Sequence, residues 1–397
     1  MDRGPRPVRR VEVDQKNIKL RVVLLVLCIL VAVCALGYGV HLMVNKEPGW
    51  QTVEISADGR NVSGDFTLQY YLQEGMTAEY RQVVAVYSEA CTDAYQYFDV
   101  SGELGSIQPN TPVQVSEPLY RALEQIHRSG NRCIYLAPVY QEYQRIFLCE
   151  NEAEAAIYDP GRDPELAQQL QTLAAWCNDP GMIDLELLED NRVNLKLSGE
   201  YLQYAQQWEQ DCFLDLGWMK NAFVADYLAQ QLTENGLTKG YLASFDGFTR
   251  NLGGVDQQLS LNLFDRHGDT LEKPAVMHYS GIMSLAVLRN YPMTEQDRWQ
   301  YFVFSDGRIV TACVDPADGV SKSALDQLTV YSPEASCGEL VLQAAPLYLC
   351  DSWSDAAMQE LAEAGTYGIW TRDGVMYHTE PELEMTILLP AYTKKCP

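Results

Sequence analysis

The stretch Asp215–Gly254, DLGWMKNAFVADYLAQQLTENGLTKGYLASFDGFTRNLGG, constrains the fold of this chain more than any other. Phe223, Val224, Tyr227, Leu228 and Leu232 fall at the three-to-four spacing that lays one apolar stripe along a helix. Asn235-Gly236 supplies the stop, because glycine takes a left-handed backbone without a Cβ clash. Tyr241-Leu242-Ala243-Ser244-Phe245 follows as a half-buried strand, and Asp246-Gly247 as the turn that closes it. A loop feeding a helix, then a strand with a glycine turn, is a frame that can hold a phosphorylated ligand. It is equally an ordinary structural unit, and this stretch alone does not separate the two.

Far ahead of it stands a long apolar run. Residues 1–21 are basic, with Arg3, Arg6, Arg9, Arg10, Lys16, Lys19 and Arg21, and in residues 22–44 the one side chain able to carry charge near neutrality is His41. As a helix that run is roughly 34 Å long, enough to cross a hydrocarbon core of about 30 Å. The basic flank predicts a cytoplasmic N-terminus and an extracytoplasmic main domain in the cell membrane. The run is longer than a signal-peptide core and no A-x-A site follows it, so an uncleaved single-pass anchor is expected. Val33 rather than a small residue precedes Cys34, which argues against a lipoprotein site.

Up to Lys46 the chain has eight basic and three acidic residues, leaving 21 basic against 51 acidic, a net of -30, in the remainder. Such a surface repels phosphate backbones, so nucleic-acid binding is not expected. An anionic ligand would need locally placed donors or a metal ion. The nine cysteines beyond the apolar run show no C-x-x-C and no paired spacing, and read as buried free thiols. His127, His267 and His378 have no H-x-x-x-H spacing, so zinc is not supported.

Past a polar tether the pattern becomes globular. FTLQYYL from Phe66 predicts a strand, Thr77 to Tyr97 a helix, and Glu117 to Ser129 a helix capped by Ser116. Residues 133–148 are ambiguous, Asp163 to Ala175 helical, and Ile183 to Leu197 a hairpin about Asp190-Asn191. Strands are expected at Leu259–Leu263, Met283–Leu288, Tyr301–Phe304 and Leu328–Tyr331, helices at Glu339–Leu349 and Asp355–Ala364, and a hairpin about Asp373-Gly374. Strands mixed with single helices, without βαβ alternation, predict an α+β fold.

Several motifs stand among these elements in a fixed order. Ser101-Gly102-Glu103-Leu104-Gly105-Ser106-Ile107 precedes Pro112-Val113-Gln114-Val115-Ser116, and the run Asp215–Asp226 follows. Then come Ser244-Phe245-Asp246-Gly247-Phe248, Tyr279-Ser280-Gly281, the ACVDPADG segment Ala312–Gly319, Leu328-Thr329-Val330, and Gly338-Glu339-Leu340-Val341-Leu342-Gln343. In order and spacing they resemble the ApbE family, the FAD:protein FMN transferases, over about residues 66–380. The resemblance implies an ApbE-like (T-fold-type) α+β fold of mixed sheets with packed helices, here preceded by one N-terminal transmembrane helix. The organisation expected is a cytoplasmic tail at 1–21, an anchor at 22–44, a linker at 45–65, the flavin-transferase domain at 66–380 and a tail at 381–397.

The same resemblance implies binding of FAD and Mg-dependent transfer of FMN to a threonine or serine of a partner, a flavin-acceptor membrane protein. Carried onto this sequence, the cofactor contacts fall on Lys220, Asn221, Ser244, Asp246, Gly247, Ser280, Gly281 and Asp315, and the metal positions on Glu339, Gln343 and Trp218. At several of these the chain departs from the family pattern. The motif histidine falls on Ala312, the lysine position holds Asn221 with Lys220 beside it, and Asp246 replaces the first glycine of a Gly-Gly pair. Trp218 stands where a small residue is usual, and Glu339 and Gln343 stand for an aspartate and a threonine. His278, two residues before Ser280, is the histidine nearest a motif and the candidate catalytic base. Plainer readings stand beside these: Glu339 complements a helix dipole, Asp315 forms a turn, Ser280-Gly281 punctuates a loop, and His278 is a surface histidine. Beside an anchored scaffold that binds no flavin, two functions remain open, a membrane-anchored FMN transferase and a degenerate relative acting as a flavin-binding or protein-interaction module (pseudoenzyme). Both require the loop before the central helix, the Asp246-Gly247 bend and the carboxylate at 339 to meet in one flavin-sized cleft.

Overall fold

The computed structural model describes residues 23–32, 35, 48–55, 64–73, 77–207, 210–268 and 270–396. The chain divides into two compact units, Met1–Gly49 with Leu72–Tyr80, and Trp50–Tyr71 with Arg81–Pro397. In the first, residues 23–32 are helical and their apolar side chains, Val23 through Val31, are exposed. The rest of the expected anchor, apart from residue 35, lies outside the described residues, as does the basic tail. Among the described residues no helix is long and apolar enough to cross a membrane.

The second unit is built on a nine-stranded sheet whose order in space follows order along the chain. The strands are Gly49–Thr52, Phe66–Leu72, Gly240–Ser244, Phe248–Leu252, Ile282–Arg289, Gln327–Ser332, Tyr367–Arg372, Val375–His378 and Thr393–Lys395. From Phe66–Leu72 to Val375–His378 neighbours pair antiparallel, and Thr393–Lys395 joins parallel to Val375–His378. Local chemistry sets the tight turns. Asp190 and Asn191 both take positive φ, as do Asp373 and Gly374, the backbone that primed two-residue hairpin turns require.

Each face of the sheet is covered differently. The helix Lys220–Glu234 packs on the strand Phe248–Leu252 and against the helix Cys337–Tyr348, which also meets the helix Glu117–Ser129. Their buried side chains, among them Phe223, Val224, Leu228, Leu340 and Val341, follow helical spacing. The other face carries a three-stranded sheet, Leu259–His267, Thr270–Tyr279 and Met385–Ile387. There Leu263, Ala275 and Met277 share a core with Leu285, Tyr331 and Ile369 of the large sheet. A third sheet, Val113–Gln114 with the hairpin Ile183–Leu188 and Arg192–Leu197, accompanies the helices Ala137–Phe147 and Pro164–Asn178.

The architecture is α+β, and several elements differ from the sequence reading. The ambiguous residues 133–148 form a 3-10 turn, Cys133–Leu136, and then the helix Ala137–Phe147. Residues 133–140 are buried without a break, which erases there the one-sided stripe that marks a surface helix, and an exposed polar side returns only at Gln141, Gln144 and Arg145. The segment from 381 onward, read as a tail, contributes Met385–Ile387 to the small sheet and Thr393–Lys395 to the large one. Ser280-Gly281 is the turn between two long strands, Thr270–Tyr279 and Ile282–Arg289, with Gly281 at φ 74°.

Candidate functional site

The loop ahead of the central helix is fixed by its own aspartate. Asp215 accepts the amide of Gly217 at 2.7 Å, and its own amide donates to the carbonyl of Ile134 at 2.9 Å. Gly217 has φ 54°, and a Cβ there would come within 2.6 Å of the Tyr140 ring, so the turn tolerates glycine and little else. A 3-10 turn, Gly217–Met219, then leads into the helix, whose first residues are Lys220 and Asn221. No side chain caps this helix start, because the 3-10 turn feeds it: the Met219 amide donates to the Leu216 carbonyl at 3.0 Å and the Lys220 amide to that of Gly217.

The hairpin bend Phe245-Asp246-Gly247, which joins the third and fourth strands of the large sheet, approaches the same place. Asp246 is half-buried and accepts the side-chain amide of Asn221 at 2.9 Å and the hydroxyl of Ser244. Gly247 has φ 113°, and a Cβ there would meet the Val287 carbonyl at 2.4 Å. Loop and bend enclose a cavity of about 330 Å³, at the small end of the usual range for ligand pockets. Of the three pieces expected to meet, the loop and the bend do so, and the third, Glu339, does not line the cavity.

Four carboxylates line this cavity, Asp65, Asp99, Asp215 and Asp246, facing the single ammonium of Lys220. Burial pushes Asp65 up to about 6, with Lys220 pulling against it. Burial likewise raises Asp215 against its bond from the Gly217 amide, and raises Asp246 against its bonds from Ser244 and Asn221. Asp99 goes the other way. Burial would raise it, but the Lys220 Nζ at 3.0 Å and the amide and hydroxyl of Ser101 hold it below its usual range. Lys220 is raised in turn by Asp99, against its burial. The cavity thus combines an ion pair with carboxyls biased toward their neutral form. Two buried polar atoms on its wall, the Trp218 Nε1 donor and the Asn221 Oδ1 acceptor, have no hydrogen-bond partner among the described residues.

The third side comes from a stretch that the sequence reading left out. Thr294 and Asp297 form a capping box around the 3-10 turn Glu295–Trp299, and Trp299 and Gln300 line the cavity. The Gln300 carbonyl accepts the amide of Ala312, which lines the cavity too. Arg289 joins two walls: it donates to Asp297 at 2.6 Å and to the Phe245 carbonyl at 3.2 Å. Asp65 and Asp99 were missed because their elements lie far from residue 220 in sequence. A T-x-x-D box directly before R-W-Q-Y was the available signal for Trp299.

The remaining expected residues are elsewhere. The Glu339 carboxylate accepts the amide of Ser336 at 2.8 Å, completing the capping box of the helix Cys337–Tyr348, and does not line the cavity. Gln343 accepts the Thr366 hydroxyl at 2.7 Å. These oxygens stabilise the helix and its neighbour, Trp218 offers only a ring nitrogen that donates, and among the described residues no cluster of three or more ligating side chains forms. The residues assigned to magnesium therefore do not fit a cation site. His278 sits in the small sheet between the Ser260 and Thr386 hydroxyls, 3.0 and 3.1 Å away, and does not line the cavity. Ser280 and Gly281 are exposed at their strand turn, where the Gly281 carbonyl accepts from Asn251. Asp315 is buried in its turn, accepting the Ala317 amide and pairing with Lys322 at 2.8 Å. Lys220, Asn221, Asp246 and Trp218 line the cavity, and Ser244 and Gly247 hold the bend in place.

No protein-family model and no curated protein matches the sequence. Solved structures do match. The ApbE protein of Thermotoga maritima aligns with a TM-score of 0.56 at 12% identity, over 85% of this chain and 96% of that one. The flavin transferase ApbE of Vibrio cholerae aligns with a TM-score of 0.53 at 14% identity, over 86% and 97%. At such identities the likeness is one of fold.

Proposed function

Taking the fold of the ApbE flavin transferases as the premise, we propose that this chain binds FAD in the cleft between the Asp215–Asn221 loop and the Asp246 bend. The observation that carries this reading is the convergence of those two pieces on one cavity with unpartnered polar atoms in its wall. Burial raises Asp215 and Asp246 above the usual carboxylate range, which lessens their repulsion of the dinucleotide. Flavin binding without turnover is the better supported of the two open functions. Ala312 lines the cleft where an imidazole was expected, and the oxygens assigned to a metal are engaged elsewhere.

One observation favours transfer as the second reading. Asp65 lies in the cleft with its carboxyl pushed up to about 6, a value suited to taking a proton near neutrality. In that reading an acceptor hydroxyl forms a bond to the FMN phosphorus, the bond to AMP breaks, and Asp65 accepts the hydroxyl proton. The acceptor would be a serine or threonine of a membrane protein, since residues 22–44 are taken to anchor the domain outside the cell. Incubating the purified chain with FAD, with and without Mg²⁺, and following AMP release alongside flavin binding separates the readings. Binding without AMP is the expected result; AMP release with a flavinylated acceptor would establish transfer, and absence of binding would remove both.

A further inference from the structure

We propose that Trp299 is the platform on which the isoalloxazine ring stacks at the mouth of the cleft, an assignment that rests on the flavin-binding reading. Trp299 lines the cavity and yet is 51% exposed. A large indole left half in water contributes little to the core and is free to pack on a ligand. That position is rigidly made. Asp297, fully buried, accepts the amides of Met293 and Thr294 at 2.6 and 2.7 Å and pairs with buried Arg289. On the far side of Trp299, the Gln300 carbonyl is tied to Ala312, and the Tyr301 hydroxyl donates to the Arg289 carbonyl at 3.0 Å. The backbone is thus anchored immediately before and after one exposed aromatic side chain.

The Arg298 guanidinium covers one face of the indole, 4.4 Å from the ring centroid, which leaves one face for a planar ligand. What lies deeper in the cavity suits a flavin edge. Trp218 Nε1 needs an acceptor and Asn221 Oδ1 needs a donor, and the pyrimidine edge of isoalloxazine carries an N–H between two carbonyls. The uncharged ring is also the part of the dinucleotide that an acid-lined interior accepts at least electrostatic cost. Ring at the mouth and edge inward, the ligand would bridge Trp299 to the start of the central helix.

The test titrates riboflavin, FAD and AMP into the full-length chain and its Trp299→Ala, Trp299→Leu and Trp299→Phe variants, with melting temperature followed in parallel. Stacking predicts that the Ala and Leu variants bind riboflavin and FAD roughly 10-fold or more weakly, that AMP binding is unchanged, and that Phe retains most of the affinity. Melting temperatures stay close to that of the parent chain. Riboflavin binding unchanged in the Leu variant would overturn the assignment, as would loss of AMP rather than riboflavin, which would give the indole to adenine. A parent chain that binds AMP but not riboflavin removes the stacking proposal alone, whereas one that binds none of the three removes the flavin reading and this proposal together.

Discussion

At the scale of single residues, Asp65 is where burial and charge disagree most usefully. Its carboxyl is pushed from 3.8 to about 6 by burial, with Lys220 pulling against it and the neighbouring Asp246 and Asp99 adding to the rise. A carboxyl whose folded value is raised holds its proton more tightly in the fold than in the unfolded chain. Its contribution to stability is therefore full below pH 4 and is lost as the pH rises from about 4 to about 6. Asp65→Asn removes this dependence. The variant should match the parent chain near pH 4 and exceed it by up to roughly 3 kcal/mol at pH 7, since the net shift already includes the attraction to Lys220. Urea midpoints at the two pH values check this. A variant less stable than the parent at pH 7 would mean that Asp65 is held ionised by Lys220.

At the scale of elements, the helix Cys337–Tyr348 shows how a motif can hold the right residues for another reason. Ser336 accepts the amide of Glu339, and Glu339 accepts that of Ser336, while half-buried Asp226 of the central helix accepts the amides of Cys337 and Gly338 at 2.8 and 2.7 Å. The helix start is saturated by protein groups. Glu339→Ala should therefore cost about 1 kcal/mol of stability and leave FAD affinity the same with or without Mg²⁺. Mg²⁺-dependent FAD binding that vanishes in this variant would restore the residue to a ligand site. The central helix and its glycine bend were legible in the sequence because their signals are local: a periodic stripe, a stop, a turn. Capping boxes and primed turns were legible for the same reason. The cavity's other walls were not. Lys220 meets Asp99 across 121 positions, and Arg289 joins Phe245 to Asp297 from different strand ends, pairings that no short window encodes. Ser280-Gly281 stands in a motif yet lies outside the cavity, whereas the third wall comes from the Thr294–Gln300 turn, which is anchored by a buried ion pair.

At the scale of the whole molecule, the distribution of charge bears on how the chain meets a membrane. Everything after Lys46 carries a net -30, so the globular part is repelled by anionic headgroups and gains nothing from lying on them. The basic residues at 1–21 alone would give a salt-sensitive attachment, because screening at molar salt shortens the reach of charge to about 3 Å. A spanning helix over 22–44 would instead hold by buried apolar surface, which salt does not weaken. The two attachments separate cleanly. In membranes from cells expressing the full-length chain, the protein should stay in the pellet through 1 M salt and through alkaline carbonate. A variant lacking residues 1–44 should fractionate as soluble. Added protease should cut the main domain in cells with a permeabilised outer barrier but an intact cell membrane, as its predicted outward orientation requires. Release by salt would assign the attachment to the basic segment; release by carbonate alone would indicate an embedded but non-spanning segment. Either result would remove an outward-facing acceptor from the functional reading.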